Sequence, residues 1–152
     1  MCIRDRPLVL PVAMALVGEQ GRVGEEQLLV MEAERASITL QGQPGDTPPA
    51  LSVLRRFSAP VHVRLEQPLE ECLQLLASDD DSFCRWDAAQ RLARQVLLAR
   101  AENQPKPAVE AALIQAFDQR ICSYDGGDGM DLAALLALPG MAELEVLSVI
   151  HI

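Results

Sequence analysis

Histidines and cysteines are the residues most able to bind a metal or carry out nucleophilic chemistry, and this chain has few of them. It contains two histidines, His62 and His151, and four cysteines without paired spacing. Neither an H-E-x-x-H nor a C-x-x-C motif occurs, so local sequence assembles no set of zinc ligands. His62 is the one credible general base, but nothing ties it to a nucleophile. The alternation of Val61, His62 and Val63 instead predicts a polar side chain at the surface of a strand.

Two acidic clusters could suggest a cation site. Asp125, Asp128 and Asp131 lie in a glycine-rich segment, but an EF-hand needs acids at positions 1, 3 and 5 and Glu at position 12. Here position 12 is Leu136, so the pattern favours a loop that ends in a helix cap. The acidic run 79–81 is typical of a helix start, where carboxylates interact favourably with the macrodipole. We therefore nominate no catalytic, cofactor-binding or metal-binding residue in this chain.

Composition narrows the class of protein further. The 152 residues are 49% hydrophobic, which indicates a globular chain, and carry a net charge of −9, which argues against nucleic-acid binding. The longest apolar stretch, Leu8–Val17, contains Pro11 and is too short to span a bilayer. A turn follows it rather than a cleavage pattern, so we expect no signal peptide. Cysteines without paired spacing favour a reducing compartment, and we expect a cytoplasmic protein with no membrane partner.

The segment Phe57–Val61 separates two kinds of sequence pattern. Before and just after it, alternating apolar residues bounded by Gly and Pro predict short antiparallel strands. These are Leu8–Val17, Gln27–Glu32, Ala36–Gln41, Leu51–Leu54 and Val61–Leu65. Five strands with a turn every eight to twelve residues favour a small β-sandwich.

Helical spacing begins at Pro68, a residue favoured at the first position of a helix. The pattern predicts helices over Pro68–Ala77, from Asp81 or Ser82 to about residue 102, over Ala108–Ile121, and over Leu132–Leu138 with Asp131 as N-cap. The second helix carries an apolar stripe at Trp86, Ala89, Ala93, Val96 and Leu97. We expect Trp86 to be largely buried against the first helix, on Leu73 or Leu76.

The fold class that these elements predict is α+β by content. We expect an incomplete antiparallel β-sandwich over residues 7–65, followed by a helical segment of three to four helices over residues 66–146. Residues 1–6 and 147–152 fit no periodic pattern, and we expect them to be non-native ends.

Three blocks of sequence resemble one known family. They are L-V-L-P-V-A-M-A-L-V at 8–17, L-R-R-F-S-A-P-V-H-V at 54–63 and D-S-F-C-R-W-D-A-A-Q at 81–90. Their order and spacing, over roughly Pro7 to Leu144, are similar to bacterial aminopeptidase N, the alanyl aminopeptidase group of zinc gluzincins. The resemblance implies that the sandwich is Ig-like and that the helices begin a large C-terminal helical domain.

The same resemblance implies a hydrolase that removes N-terminal amino acids from peptides with a zinc-activated water. The zinc motif and the G-x-M-E-N motif of that family lie upstream and do not occur here, so no site residue is carried over and the chain itself needs no cofactor. The implied partners are the upstream catalytic domain, the remaining C-terminal helices and, for the parent enzyme, its peptide substrates. The alternative is a stand-alone interaction module of sandwich and helices without enzyme activity.

The resemblance also implies that a strand precedes Leu8 and that further helices follow. We therefore expect an unpaired strand edge and exposed apolar stripes on the helices, with Val109, Leu113 and Phe117 among the exposed residues. A chain in this state is expected to self-associate or to unfold without a sharp transition.

Overall fold

The computed structural model describes residues 9–42, 47–127, 129–142 and 144. Within them a three-stranded antiparallel sheet is followed by four helices, which confirms the α+β class. The expected non-native ends, and a strand before Leu8, lie outside the described residues.

The sheet is built around its first strand. β1 (Leu10–Gly18) lies between β2 (Gly21–Met31) and β3 (Ala50–Val53), and both pairings are antiparallel. β1 and β2 form a hairpin in which Gly18 faces Gly21. Gly21 has a φ of 107°, which glycine adopts without the steric cost of a side chain. β1 is the central strand, and its residues from Val12 to Ala15 are buried.

Two of the five expected strands are absent from the described sheet. Residues 36–41 and 61–65 have no ladder partner, and β2 begins at Gly21 instead of Gln27. The side chains of Ile38, Leu40 and Val61 nevertheless pack against a buried cluster. Alternation therefore located the residues that pack, but a strand also needs a second backbone at hydrogen-bonding distance, which alternation does not specify.

The helices lie close to their expected positions. They are α1 (Leu69–Ser78), α2 (Ser82–Ala101), α3 (Pro107–Cys122) and α4 (Gly129–Leu136). Asp81 is the N-cap of α2, since its carboxylate accepts from the backbone N–H of Cys84 at 3.0 Å. The prediction for α4 was wrong at its start: the helix begins three residues earlier, at Gly129, so Asp131 lies in its first turn rather than at the cap.

The helices and one side of the sheet share a core. Val17 and Ala50 from the sheet pack with Leu76 of α1, Leu92 of α2 and Leu113 of α3. A second cluster contains Val12 and Met14 of β1 together with Leu54 and Ala59. The sheet is therefore packed on both faces, and the helical segment is joined to it by a continuous apolar layer.

Two expectations about this core were wrong. Trp86 is only half-buried, with its ring centroid 5.8 Å from that of Phe83. The buried side of α2 centres near Leu92 and reaches Ala88 and Ala99, so Trp86 lies at its margin. The stripe of Val109, Leu113 and Phe117 is not exposed either, because the first two are buried and Phe117 is partly buried against them.

Apolar exposure occurs at other positions. Val9, just before β1, is exposed, as are Leu28 and Val30 of β2 and Ile114 and Ile121 of α3. No helix within the described residues is both long enough and apolar enough to cross a membrane.

Candidate functional site

A buried arginine holds the sheet to the helices. Arg55 lies two residues after the end of β3, and only 2% of it is exposed. Its Nη1 donates to Oδ1 of Asp79 at 2.7 Å and to the hydroxyl of Ser52 at 3.0 Å, while its Nε donates to Oε2 of Glu26 at 2.8 Å. Its Nη2 is hydrogen-bonded to Asp80. We call these five residues the Arg55 junction.

The junction connects three parts of the chain. Glu26 comes from β2, Ser52 from β3, and Asp79 and Asp80 from the connection between α1 and α2. Arginine suits this position because its planar guanidinium presents five donors in fixed directions and can bind several carboxylates at once. A single side chain therefore fixes the sheet relative to the beginning of α2.

The acidic run 79–81 does more than cap a helix. Oδ1 of Asp79 also accepts from the backbone N–H of Asp81 at 2.9 Å, and Oδ2 of Asp81 accepts from the backbone N–H of Arg56 at 2.8 Å. Asp81 therefore caps α2 with one oxygen and binds the turn after β3 with the other. Asp79 is 3% exposed, and its Oδ2 has no hydrogen-bond partner among the residues that the structure describes.

The turn after β3 has an unusual backbone. Leu54, Arg56 and Phe57 have φ values of 61°, 53° and 53°, in the left-handed region that residues other than glycine rarely adopt. Such residues persist only where surrounding contacts determine them. Here Leu54 is buried, Arg55 is bound by its carboxylates, and the N–H of Ser58 donates to the carbonyl of Arg55 at 3.1 Å.

Further hydrogen bonds connect the helices to strand backbones. Gln74 of α1 donates to the carbonyl of Val17 at 2.8 Å, and Gln67 donates to the carbonyl of Leu51 at 2.9 Å. The hydroxyl of Ser58 accepts from the N–H of Ala13 at 2.9 Å, beyond the residues of β1 that pair with β3. These contacts join α1, the connection before it and the turn after β3 to strand backbones, and they hold the sheet in place against the helices.

The charges of the junction alter its ionisation equilibria. The hydrogen bond from Arg56 lowers the pKa of Glu26 to about 2, against an opposing effect of burial and with further help from Arg55. Burial acts to raise the pKa of Asp80, but the hydrogen bond and charge of Arg55 outweigh it and the pKa is lowered. Both carboxylates are therefore held in the charged form that the arginine binds.

Stability is expected to fall as acid protonates the junction. Because the pKa of Glu26 is lower in the folded chain, its contribution is complete above pH 4.5 and is lost as pH falls towards 2. At about 1.4 kcal/mol per pKa unit this is at most about 3.5 kcal/mol, and less after solvent screening. The measurement is the urea midpoint between pH 5 and pH 2.

A matched pair of variants separates this effect from general acid denaturation. Glu26→Gln should be less stable than the natural chain at pH 7 and should lose less stability between pH 5 and pH 2. Glu34→Gln, which changes an exposed carboxylate, should retain the natural pH dependence. If Glu26→Gln and Glu34→Gln showed the same pH dependence, the assignment to Glu26 would be wrong.

The residues that the sequence marked for chemistry do not come together. His62 is exposed and lies in a segment without strand pairing, so the prediction of a strand position was wrong. Asp125 accepts from the backbone N–H of Gly127 at 3.1 Å within its own loop. Asp128 lies outside the described residues. The described part of the chain contains no cluster of three or more His, Cys, Asp or Glu residues that could hold a metal ion.

The cysteines of the helices are free thiols. Cys72 and Cys84 are buried and Cys122 is exposed. Burial raises the pKa of Cys84 to about 12 and also raises that of Cys72. Neither buried thiol is therefore a nucleophile at neutral pH, because the thiolate is the reactive form.

Sequence reasoning missed Arg55. The arginine pair at 55–56 was given no role, and the acidic run at 79–81 was expected only to start a helix. The available signal was the combination of the basic pair at 55–56 and the acidic run at 79–81. Both lie in connections where the sheet and the helices must meet, so opposite charges there could pair. Glu26 gave no such signal, because its position in a hairpin strand depends on the register with β1.

Comparisons with known proteins agree with this architecture. Residues 3–66 match a domain family described as "Domain of unknown function (DUF3458) Ig-like fold", and residues 69–149 match the one described as "Domain of unknown function (DUF3458_C) ARM repeats". The chain is 34% identical over 135 residues to aminopeptidase N of Caulobacter vibrioides. The chain belongs to the aminopeptidase N family. The Ig-like class of its strand region is thereby confirmed.

The match extends along almost the whole chain but over a small part of its relatives. It covers 89% of this chain and 15% of the Caulobacter protein. A crystal structure of Legionella pneumophila aminopeptidase A in complex with aspartic acid superposes with a TM-score of 0.70 and 26% identity, over 93% of this chain and 16% of that one. The chain thus corresponds to the Ig-like and helical-repeat regions of aminopeptidase N relatives, consistent with a non-catalytic fragment.

Proposed function

We propose that this chain is the scaffold part of a zinc-dependent aminopeptidase that removes N-terminal amino acids from peptides. One observation carries the proposal: the chain matches aminopeptidases along nearly all of its own length and along 15–16% of theirs, through an Ig-like and a helical-repeat family. The role that its own residues support is structural. They join two differently built regions in one fixed arrangement.

The Arg55 junction is the device by which the scaffold works. In helical-repeat proteins each repeat contacts only its neighbours, so an error in the first helices propagates along the array. Arg55 ties the beginning of α2 to two strands through hydrogen bonds of 2.7–3.0 Å. The proposed partners are an upstream catalytic domain and the later helices of the same protein, which the junction keeps in register.

Zinc chemistry is assigned to the remainder of the parent enzyme. The described residues of this chain supply no group of ligands that fits a zinc ion. A zinc-bound water in that part of the enzyme would be the nucleophile at neutral pH. The proposal that the parent is an aminopeptidase also implies that its substrates are peptides. No residue of this chain is given a part in that reaction.

The isolated chain is expected to be inactive. It should bind no stoichiometric zinc in equilibrium dialysis and should not hydrolyse an amino-acid anilide, because its described residues contain no cluster of metal ligands. An aminopeptidase of the family, assayed in parallel with and without chelator, is the positive control. One tightly bound zinc per chain, or anilide hydrolysis lost on chelation, would contradict the scaffold proposal.

The upstream reading frame distinguishes the two function classes. An H-E-x-x-H motif encoded in frame before this segment is expected for the scaffold of an enzyme. Its absence there would favour a stand-alone interaction module. A cytoplasmic location is proposed with the enzyme, supported by the free thiols at Cys72, Cys84 and Cys122. Recovery of the parent protein in a membrane or secreted fraction would count against that location.

A further inference from the structure

An apolar groove lies between the second half of α2, the middle of α3 and the end of α4. It has a volume of about 370 Å³, whereas one water takes up about 30 Å³ in the liquid. Of its lining residues, Val96 and Leu113 are buried, Leu97 and Phe117 are half-buried, and Leu138 is exposed. The groove therefore offers apolar side chains to solvent and has room for several side chains of a partner.

An exposed apolar stripe on α3 adjoins this groove. Ile114, Phe117 and Ile121 follow one another at i, i+3 and i+7, so they lie on one side of the helix. Ile114 is 60% exposed and Ile121 is 50% exposed, although the neighbouring Leu113 is buried against α1 and α2. The apolar surface of α3 is thus wider than the part that α1 and α2 cover, which is typical of a helix with a further neighbour.

The charges at one end of the groove compensate each other. Arg100 of α2 and Glu110 of α3 both line it, and Nε of Arg100 donates to Oε2 of Glu110 at 3.1 Å. Because each charge already has a partner, the groove does not favour a charged ligand. Its chemistry fits an apolar surface with a polar rim, the arrangement of a protein interface.

The architecture indicates which apolar surface would cover the groove. Residues 69–149 match a helical-repeat family, and in such arrays each repeat buries its apolar face against the next one. Terminal repeats normally carry a polar outer face, whereas the outer face here is apolar. Leu138 lies two residues beyond α4 and lines the groove, so the polypeptide leaves α4 along the wall of the groove.

We propose that this groove, with the adjoining stripe of Ile114, Phe117 and Ile121, seats the next helix of the repeat array, which follows Leu144 in the parent enzyme. That helix would place apolar residues in the groove at i, i+3 or i+4, and i+7. The inference rests on the proposed function, because it assigns the groove to a later part of the same aminopeptidase. The Arg55 junction fixes α2 against the sheet, and this groove would fix the later helices against α3 and α4.

The test is photo-crosslinking in the full-length parent protein, with the photoreactive amino acid benzoylphenylalanine in place of Ile114. Mass spectrometry identifies the peptide that is attached, and a mixture of isotope-labelled and unlabelled protein reveals attachment between copies. We expect attachment within one copy, to a helix that follows Leu144. Attachment to an upstream segment or to a second copy, or no attachment, overturns the proposal. The same replacement at Gln119, an exposed residue of α3 outside the groove, is the control and should give a much lower yield.

A matched pair of variants measures what the contact contributes. Ile114→Glu and Gln119→Glu each place one carboxylate at an exposed position of α3. In the parent, Ile114→Glu should raise the rate of limited proteolysis after Leu144 at least about tenfold, because a charge in an apolar contact favours the open form. Gln119→Glu should leave that rate unchanged. Equal rates for the two variants overturn the proposal.

Two further measurements separate the possible failures. In the 152-residue chain both variants should have the same urea midpoint, and a lower midpoint for Ile114→Glu alone would show that Ile114 already packs within this chain and would overturn the proposal. Zinc-dependent aminopeptidase activity is assayed on the natural parent. Its absence would contradict the proposed function, whereas an active parent without the cross-link from position 114 would contradict the docking proposal alone. The cross-linking result stands if Ile114→Glu does not fold.

Discussion

Arg55→Ala should destabilise the chain by about 3–5 kcal/mol, the cost of breaking a buried ion pair by removing one partner. The substitution leaves the carboxylate of Asp79 buried without its cation, and the carboxylate of Asp79 is fully buried. It also removes the donors to Ser52 and Glu26 that hold two strands. Urea unfolding, followed by the fluorescence of Trp86, measures the loss, and limited proteolysis measures it if unfolding is not cooperative.

Arg56→Ala is the matched control. Arg56 shares Glu26 with Arg55, but its side chain is 66% exposed. The loss should be smaller than for Arg55→Ala, because Glu26 keeps its hydrogen bond from Arg55 and no buried carboxylate is left without a cation. Equal losses for the two variants would show that burial of Arg55 is not what stabilises the junction.

A double variant tests the pairing itself. Arg55→Met combined with Asp79→Leu removes both buried charges, so its loss should be smaller than the sum of the two single losses. Simple additivity would mean that Arg55 and Asp79 contribute independently and that the 2.7 Å contact between them carries no coupling energy.

Leu92→Ala should cost about 3–5 kcal/mol, the range measured for buried leucines that leave a cavity. Leu92 is fully buried at the centre of α2, in the cluster that holds Leu76 of α1 and Leu113 of α3. The cavity would open where three helices meet, so no single helix could move to fill it without separating from the others. The shift of the urea midpoint is the measurement.

Leu138→Ala removes the same atoms from a side chain that is 60% exposed. It should cost well under 1 kcal/mol, since surface substitutions of this kind change stability little. A comparable loss for both leucines would indicate that Leu138 is buried in solution and that the helical segment packs differently there.

The sequence by itself determined where the helices lie. Pro68, the acids at 79–81 and the apolar spacing in α3 are local signals, because a helix closes its hydrogen bonds within its own segment. The same holds for the family, whose blocks are contiguous runs at 8–17, 54–63 and 81–90. The sequence also placed the N-cap of α2 at Asp81 or Ser82, and the structure selects Asp81, whose partner is only three residues away.

Tertiary structure alone decided which extended segments became strands and which charges met. Residues 36–41 and 61–65 alternate as β2 does, yet only β2 has a neighbouring backbone to pair with. Arg55 finds Glu26 and Asp79 at sequence separations of 29 and 24 residues. No local pattern encodes such a contact, because strand pairing and buried ion pairs join groups that are far apart in the chain. These interactions stabilise the fold only after the apolar layer between sheet and helices has brought the groups together.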